Sequence, residues 1–199
     1  MNKQKLLTSI KRDIEFTSGN YAQMYNRLKL NDSISKFLIT YYSTVSIIYG
    51  LFPLFFEDKI VYLTGLDFLM MSLSVVVLIA SLLISFAQYG ERSKQVMTGL
   101  DRLKRLKKEL LQYSDDNFTK ELYKKFIDEY HGIVDSIELR SDLDYFRTCK
   151  ELNSRGKYTE SWQQISCLNK LIMYMVPIFK FLFFFALFLF PIIVLFIIF

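Results

Sequence analysis

The fold turns on residues 37–89. Phe37–Phe56 reads FLITYYSTVSIIYGLFPLFF, and Phe68–Tyr89 reads FLMMSLSVVVLIASLLISFAQY. Neither run holds a charge, and Glu57-Asp58-Lys59 lies between them. A helix needs about 20 apolar residues to cross a bilayer core, and each run reaches that length. Lipid offers the backbone no hydrogen-bond partner, so such runs become helices. The stretch predicts a transmembrane hairpin. The alternative, a buried hairpin of a soluble protein, rarely runs so far without a charge.

Outward from the hairpin the chain is polar on both sides. Residues 1–36 carry seven basic and three acidic side chains, net +4. Leu6, Leu7, Ile10 and Ile14 recur at helical spacing, as do Tyr21, Met24, Tyr25 and Leu28. Gly19-Asn20 is expected to separate two short helices, and Asn31-Asp32-Ser33 to cap the helix that enters the membrane. No apolar run of seven occurs in the first 30 residues, so no cleavable signal is expected and the hairpin itself targets the chain.

Beyond the hairpin, residues 90–170 read as a cytoplasmic helical bundle. Leu100, Leu103, Leu106 and Leu110 predict an amphipathic helix running straight out of the second span. Ser114-Asp115-Asp116-Asn117 breaks it. A second helix starts near Phe118, carries Leu122, Phe126 and Tyr130, and continues toward Ile133, Ile137 and Leu139. A third covers Leu143–Leu152, and Asn153-Ser154-Arg155-Gly156 is a turn. A last apolar block fills residues 171–199. Its charge-free part, Phe181–Phe199, is about 28 Å long as a helix, enough for a third span, with Lys180 at the inner interface and Pro177 at a bend. The expected architecture is an all-α membrane protein. Its parts are an N-terminal cytoplasmic segment (1–36), the hairpin (37–89), the bundle (90–170) and a C-terminal transmembrane helix (171–199). Basic residues cluster at both outer ends of the hairpin, with only Lys59 in its loop. The positive-inside bias therefore puts the N-terminus in the cytoplasm and the C-terminus outside.

Charge in the bundle is uneven. Residues 91–108 are net +5 and residues 115–144 net −5. Arg92, Lys94, Arg102, Lys104, Arg105, Lys107 and Lys108 form the basic cluster. Anionic lipid heads are one partner for it. Several copies around an axis would instead make a vestibule for an anion such as a nucleotide or oligonucleotide. Pairing with the acidic residues, or simple solvation, also accounts for it. Within the spans, Thr40 and Thr44 share a face, and Ser74, Ser81, Ser85 and Gln88 form one helical stripe. Such residues let membrane helices pack closely, or line a hydrated pore. Three helices cannot enclose an aqueous path alone, so a homo-oligomer of about four subunits is expected.

Enzyme signatures are missing. The chain has no Gly-rich phosphate loop and no GxSxG, and His131 is its one histidine. Asp115-Asp116 and Asp128-Glu129 are neighbours that point different ways on a helix. Cys149 and Cys167 support neither a disulfide framework nor a zinc site. No catalytic residue, metal or cofactor is expected.

The order of these pieces resembles a known group. Asn20-Tyr21-Ala22 and Asn26-Arg27-Leu28 lead through Ile34-Ser35 into the first span. The second span ends in Tyr89-Gly90 and is followed by the Leu-rich basic helix. Phe126-Ile127, Tyr130 and Asp142-Leu143-Asp144-Tyr145-Phe146 come later. Over roughly residues 15–155 this is similar to the SLATT family of two-helix membrane effectors, in the branch found beside nucleotidyltransferases or reverse transcriptases. The third apolar block lies outside that stretch, and Leu139-Arg140 stands where the family pattern has Asn-His. The resemblance implies a pore-forming effector of bacterial anti-phage defence in the inner membrane. It also implies a nucleotide or oligonucleotide signal made by a partner enzyme, with membrane disruption and growth arrest as the outcome. The competing class is a non-conducting membrane anchor that recruits a cytoplasmic partner.

Overall fold

In the computed structural model, residues 3–55, 63–114 and 117–198 are described, with side chains over 4–51, 71–114 and 117–193. The Glu57-Asp58-Lys59 loop and Asp115-Asp116 lie outside these residues. Among the described residues the regular secondary structure is all helix, with no strand. The helices are α1 (Lys3–Phe55), α2 (Leu63–Ala87), α3 (Tyr89–Leu110), α4 (Lys120–Asp135), α5 (Asp142–Ser154), α6 (Thr159–Gln163) and α7 (Cys167–Ile198). They fall into two compact units, one from Met1–Lys29 and Gly90–Tyr174, the other from Leu30–Tyr89 and Met175–Phe199.

The first unit is cored by stripes from α1 and α3. Leu7, Ile10, Ile14, Tyr21, Met24 and Leu28 are buried along α1, at steps of three, four or seven residues. On α3, Val96, Leu103, Leu106 and Leu110 are buried with Gly99 at the same spacing. This is the repeat that keeps one seam of a helix against a partner. Burying one such Leu or Ile contributes about 1.5–3 kcal/mol.

The expected break at Gly19-Asn20 does not occur, and Asn31-Asp32-Ser33 caps nothing, because α1 runs through both. Gly19 is needed for contact: a Cβ there would lie 2.6 Å from Thr148 Cγ2. Packing outweighs the helix cost of one glycine, about 1 kcal/mol. At the expected cap, Lys36 instead bonds Asp32 one turn away, at 2.6 Å.

The passage from α2 to α3 also differs. Gln88 takes a left-handed φ of 46° and separates the two helices, so the amphipathic helix starts afresh at Tyr89. Later, α4 begins at Lys120 under the Thr119 cap, whose hydroxyl accepts from Leu122 N–H, and it ends at Asp135. Ile137 and Leu139 therefore lie past the helix. Ile137 packs where a Cβ on Gly99 would sit, 1.8 Å from its Cδ1, while Leu139 is 95% exposed. Ser141 and Asp144 form a reciprocal capping box at the start of α5. The turn expected at Asn153–Gly156 closes α5, with Gly156 at φ 71°.

The second unit turns its apolar side chains outward. Met71, Leu78, Leu83 and Phe86 of α2, and Phe179 and Phe181 of α7, are all more than half exposed. Among the described residues two helices are long and apolar enough to cross a membrane, one within Met71–Leu110 and the other Cys167–Ile193. Helix α7 continues through both Pro177 and Pro191. An apolar cavity of about 460 Å³ lies among Leu38 and Tyr42 of α1, Leu73 and Val77 of α2, and Leu187 and Phe190 of α7, so the three helices converge.

Candidate functional site

Helix α3 divides its basic residues by face. Arg92 donates to both carboxylate oxygens of Glu138, at 2.7 and 2.9 Å. Lys107 bonds Glu15 of α1 at 3.4 Å. These two cations belong to the unit's internal pairing. The other five, Lys94, Arg102, Lys104, Arg105 and Lys108, are exposed opposite the buried Leu seam. Lys104 reaches Asp101 at 3.4 Å, and both side chains are about half exposed. Among the described residues Lys94, Arg102, Arg105 and Lys108 have no ion-pair partner.

Glu15 gathers several groups. Lys157 donates to it at 2.8 Å and Tyr158 at 3.1 Å, besides Lys107. Burial alone would raise its pKa, but these donors outweigh burial and hold the carboxyl below its ordinary value of 4.5. Burial also pushes Tyr21 up to about 12, with Tyr130 and Asp135 adding to the shift.

The hydroxyl residues lie on the outside of the second unit. Thr40 donates to Lys36 O at 2.9 Å and Thr44 to Thr40 O at 2.8 Å, so each spends its proton one turn back along α1. Both are exposed, as are Ser74, Ser81 and Ser85 on α2. Gln88 is exposed too, but it sits past the end of α2. The described fold of one chain therefore buries none of these residues.

Some polar contacts carry no periodic signal in the sequence. Pro191 has no N–H, so the carbonyl of Leu187, four residues earlier, loses its helical donor. Tyr42 of α1 donates to that oxygen at 2.7 Å. Tyr41 donates to Phe188 O at 2.9 Å and Tyr49 to Pro191 O. In the first unit Arg27 and Asp144, 117 residues apart, join the two quoted motifs. Arg27 Nε lies 3.1 and 3.2 Å from the Asp144 oxygens, and its terminal nitrogen is at 3.0 Å. Asp144 is fully buried and also accepts from the Ser141 amide and hydroxyl.

Of the remaining chemistry-bearing residues, Cys149 is buried, and burial raises its thiol pKa, while Cys167 is exposed. His131 is exposed, its ring 5.4 Å from that of Tyr130. Among the described residues no group of three His, Cys, Asp or Glu could hold a metal ion.

The SMODS and SLOG-associating 2TM effector domain family 5 matches the chain over residues 3–197. The match extends well past residue 155 and takes in the third apolar block, which therefore lies within the family domain rather than outside it. No curated protein and no solved structure matches. A match over nearly the whole chain, with two helices fit to cross a bilayer and a separate unit that buries its own core, identifies a membrane protein that belongs to the SMODS and SLOG-associating 2TM effector domain family.

Proposed function

We propose that the protein is a non-enzymatic effector of bacterial anti-phage defence. It assembles as a homo-oligomer of about four subunits in the inner membrane and conducts ions when an anionic nucleotide or oligonucleotide signal reaches its cytoplasmic unit. The observation that carries this reading is the outward face of α3. Four exposed cations there lack a partner among the described residues, on a helix whose opposite face is fully used by the core. Charge held in the open and repeated by symmetry attracts polyanions. The family's association with SMODS and SLOG partners favours an enzyme that makes such a signal, such as a nucleotidyltransferase or reverse transcriptase.

Three spans fit the tyrosine bonds best, and the basic residues at the outer ends of the hairpin favour a cytoplasmic N-terminus. Phe37–Phe55 is tied to α7, itself apolar enough to cross a bilayer, through hydroxyl bonds to three α7 carbonyls. The exposed hydroxyls of α1 and α2 then meet either neighbouring subunits or the conducting path.

The test replaces Arg102, Arg105 and Lys108 by Gln together, in proteoliposomes and in cells. Oligonucleotide binding is expected to weaken by an order of magnitude or more, to lose about three units of salt slope, and to take ion flux and toxicity with it. Unchanged binding and flux would remove α3 from the mechanism. A parent protein that binds but never conducts is instead an anchor.

A further inference from the structure

The first unit contains a cavity of about 650 Å³, bounded by α1, Tyr130 of α4, Arg140 and Tyr145 before and at the start of α5, and the start of α6. That is the size of a site for a small molecule. None of the basic residues of α3 lines it. Its wall is aromatic. The Phe16 ring lies 5.5 Å from Tyr145 and 6.1 Å from Tyr158, with the ring planes inclined by 37° and 58°, so a planar ring that stacks on one of them meets the others closer to edge-on. Tyr158 holds its place at φ 52°, a backbone conformation that costs a non-glycine residue on the order of 1 kcal/mol or more.

Two guanidinium groups face the same space. Arg140 lies over the Tyr145 ring, 4.5 Å from its centroid, and has no carboxylate partner among the described residues. Arg12 is 3.8 Å from Asp13, with both side chains well exposed, so this pair is loose. A guanidinium stacked on an aromatic ring keeps its N–H edge free for a phosphate. Polar groups complete the lining. The Thr17 and Tyr130 hydroxyls are 2.7 Å apart. Only one proton lies between them, so the other hydroxyl still has a proton to donate. Asp13 and Glu160 supply acceptors for ring N–H groups.

We propose that this cavity is a receptor site for a small ligand that joins a planar, hydrogen-bonding ring to a phosphate group, a mononucleotide being the simplest such molecule. The ring packs among Phe16, Tyr145 and Tyr158, stacked on one of them and edge-on to the others, and Arg140 and Arg12 take the phosphate. Neither pore formation nor the role given to α3 enters this argument.

The experiment is equilibrium binding to the full chain in nanodiscs, with adenosine and guanosine 5′-monophosphate, the matching nucleosides and inorganic phosphate as probes. At least one mononucleotide is expected to saturate and to bind about tenfold or more tightly than its nucleoside or phosphate alone, since both halves of the site contribute. Arg140→Gln and Arg12→Gln are each expected to weaken it about tenfold. Lys124→Gln, away from the cavity, is the control and leaves it unchanged. Thermal unfolding of each variant checks the fold; should Arg140→Gln unfold early, Arg12→Gln on its separate helix decides. The proposal is overturned if neither mononucleotide binds saturably, if binding survives loss of both arginines, or if phosphate alone binds equally well. Binding that is lost on changing Arg105 of α3 instead overturns it too.

Discussion

The two units solve the same packing problem with opposite means. The unit of 1–29 and 90–174 hides Leu7, Ile10, Leu103 and Leu106 and ties its helices together with ion pairs such as Arg27–Asp144. The unit of 30–89 and 175–199 shows Leu83, Phe86 and Phe179 to its surroundings, and phenol hydroxyls bonded to backbone carbonyls link α1 to α7. In water, apolar burial drives helices together and polar contacts supply specificity. In lipid the surroundings are as apolar as leucine, so close packing and polar bonds must hold the helices. The tyrosine bonds of the second unit are therefore each expected to matter more relative to the apolar contacts around them.

Breaking the ion pair of the first unit is expected to have the largest effect. Arg27→Ala leaves the fully buried Asp144 carboxylate without its charged partner and is expected to cost about 3 kcal/mol in denaturant unfolding, at the low end for buried pairs because Arg27 is partly exposed. Arg27→Met with Asp144→Asn, which keeps an oxygen to accept from the Ser141 amide, should recover part of that loss; a double variant as weak as the single one would mean that the pair stabilises in its own right. In the second unit Tyr42→Phe is expected to cost about 1 kcal/mol. Pro191→Ala restores an N–H to the Leu187 carbonyl, so the same Tyr42→Phe change should then cost less. An unchanged cost in that cycle would separate the tyrosine bond from the proline defect.

The smallest expected effect is that of pH at Glu15. Its carboxyl pKa is lowered in the folded chain, so the stability it contributes is present above the ordinary value of 4.5 and is lost as pH falls through the lowered folded value. Unfolding midpoints followed from pH 6 down to about pH 3 should show this loss in the parent and a flatter profile in Glu15→Gln. Matching profiles would mean that Lys107, Lys157 and Tyr158 gain nothing from the charge.

Periodicity foretold the elements far better than their contacts. The apolar runs and the Leu seam of α3 could be read because burial repeats along one chain segment. Gly19 misled because glycine marks both a helix break and a close approach, and only Thr148, more than a hundred residues away, tells them apart. Gln88 fitted a helical stripe by spacing, yet its positive φ takes it out of α2. The α3 cations were visible as a cluster, but not the loss of Arg92 and Lys107 to Glu138 and Glu15. The cavity left no trace, because Arg12 and Phe16 of α1, Arg140 and Tyr158 come from three segments far apart in the chain with no shared repeat.

The tyrosine bonds also set an order of events during synthesis. Tyr41 leaves the ribosome 147 residues before the carbonyl it bonds, and Tyr42 leaves it 145 residues before its own. Until Leu187 and Phe188 are made, these hydroxyls must bond to water, to lipid head groups or to the chaperoning surface of the insertion machinery. The part of α1 around Tyr41 and Tyr42 is thus made early and secured late, and a chain halted before residue 187 carries it without the acceptors that latch it.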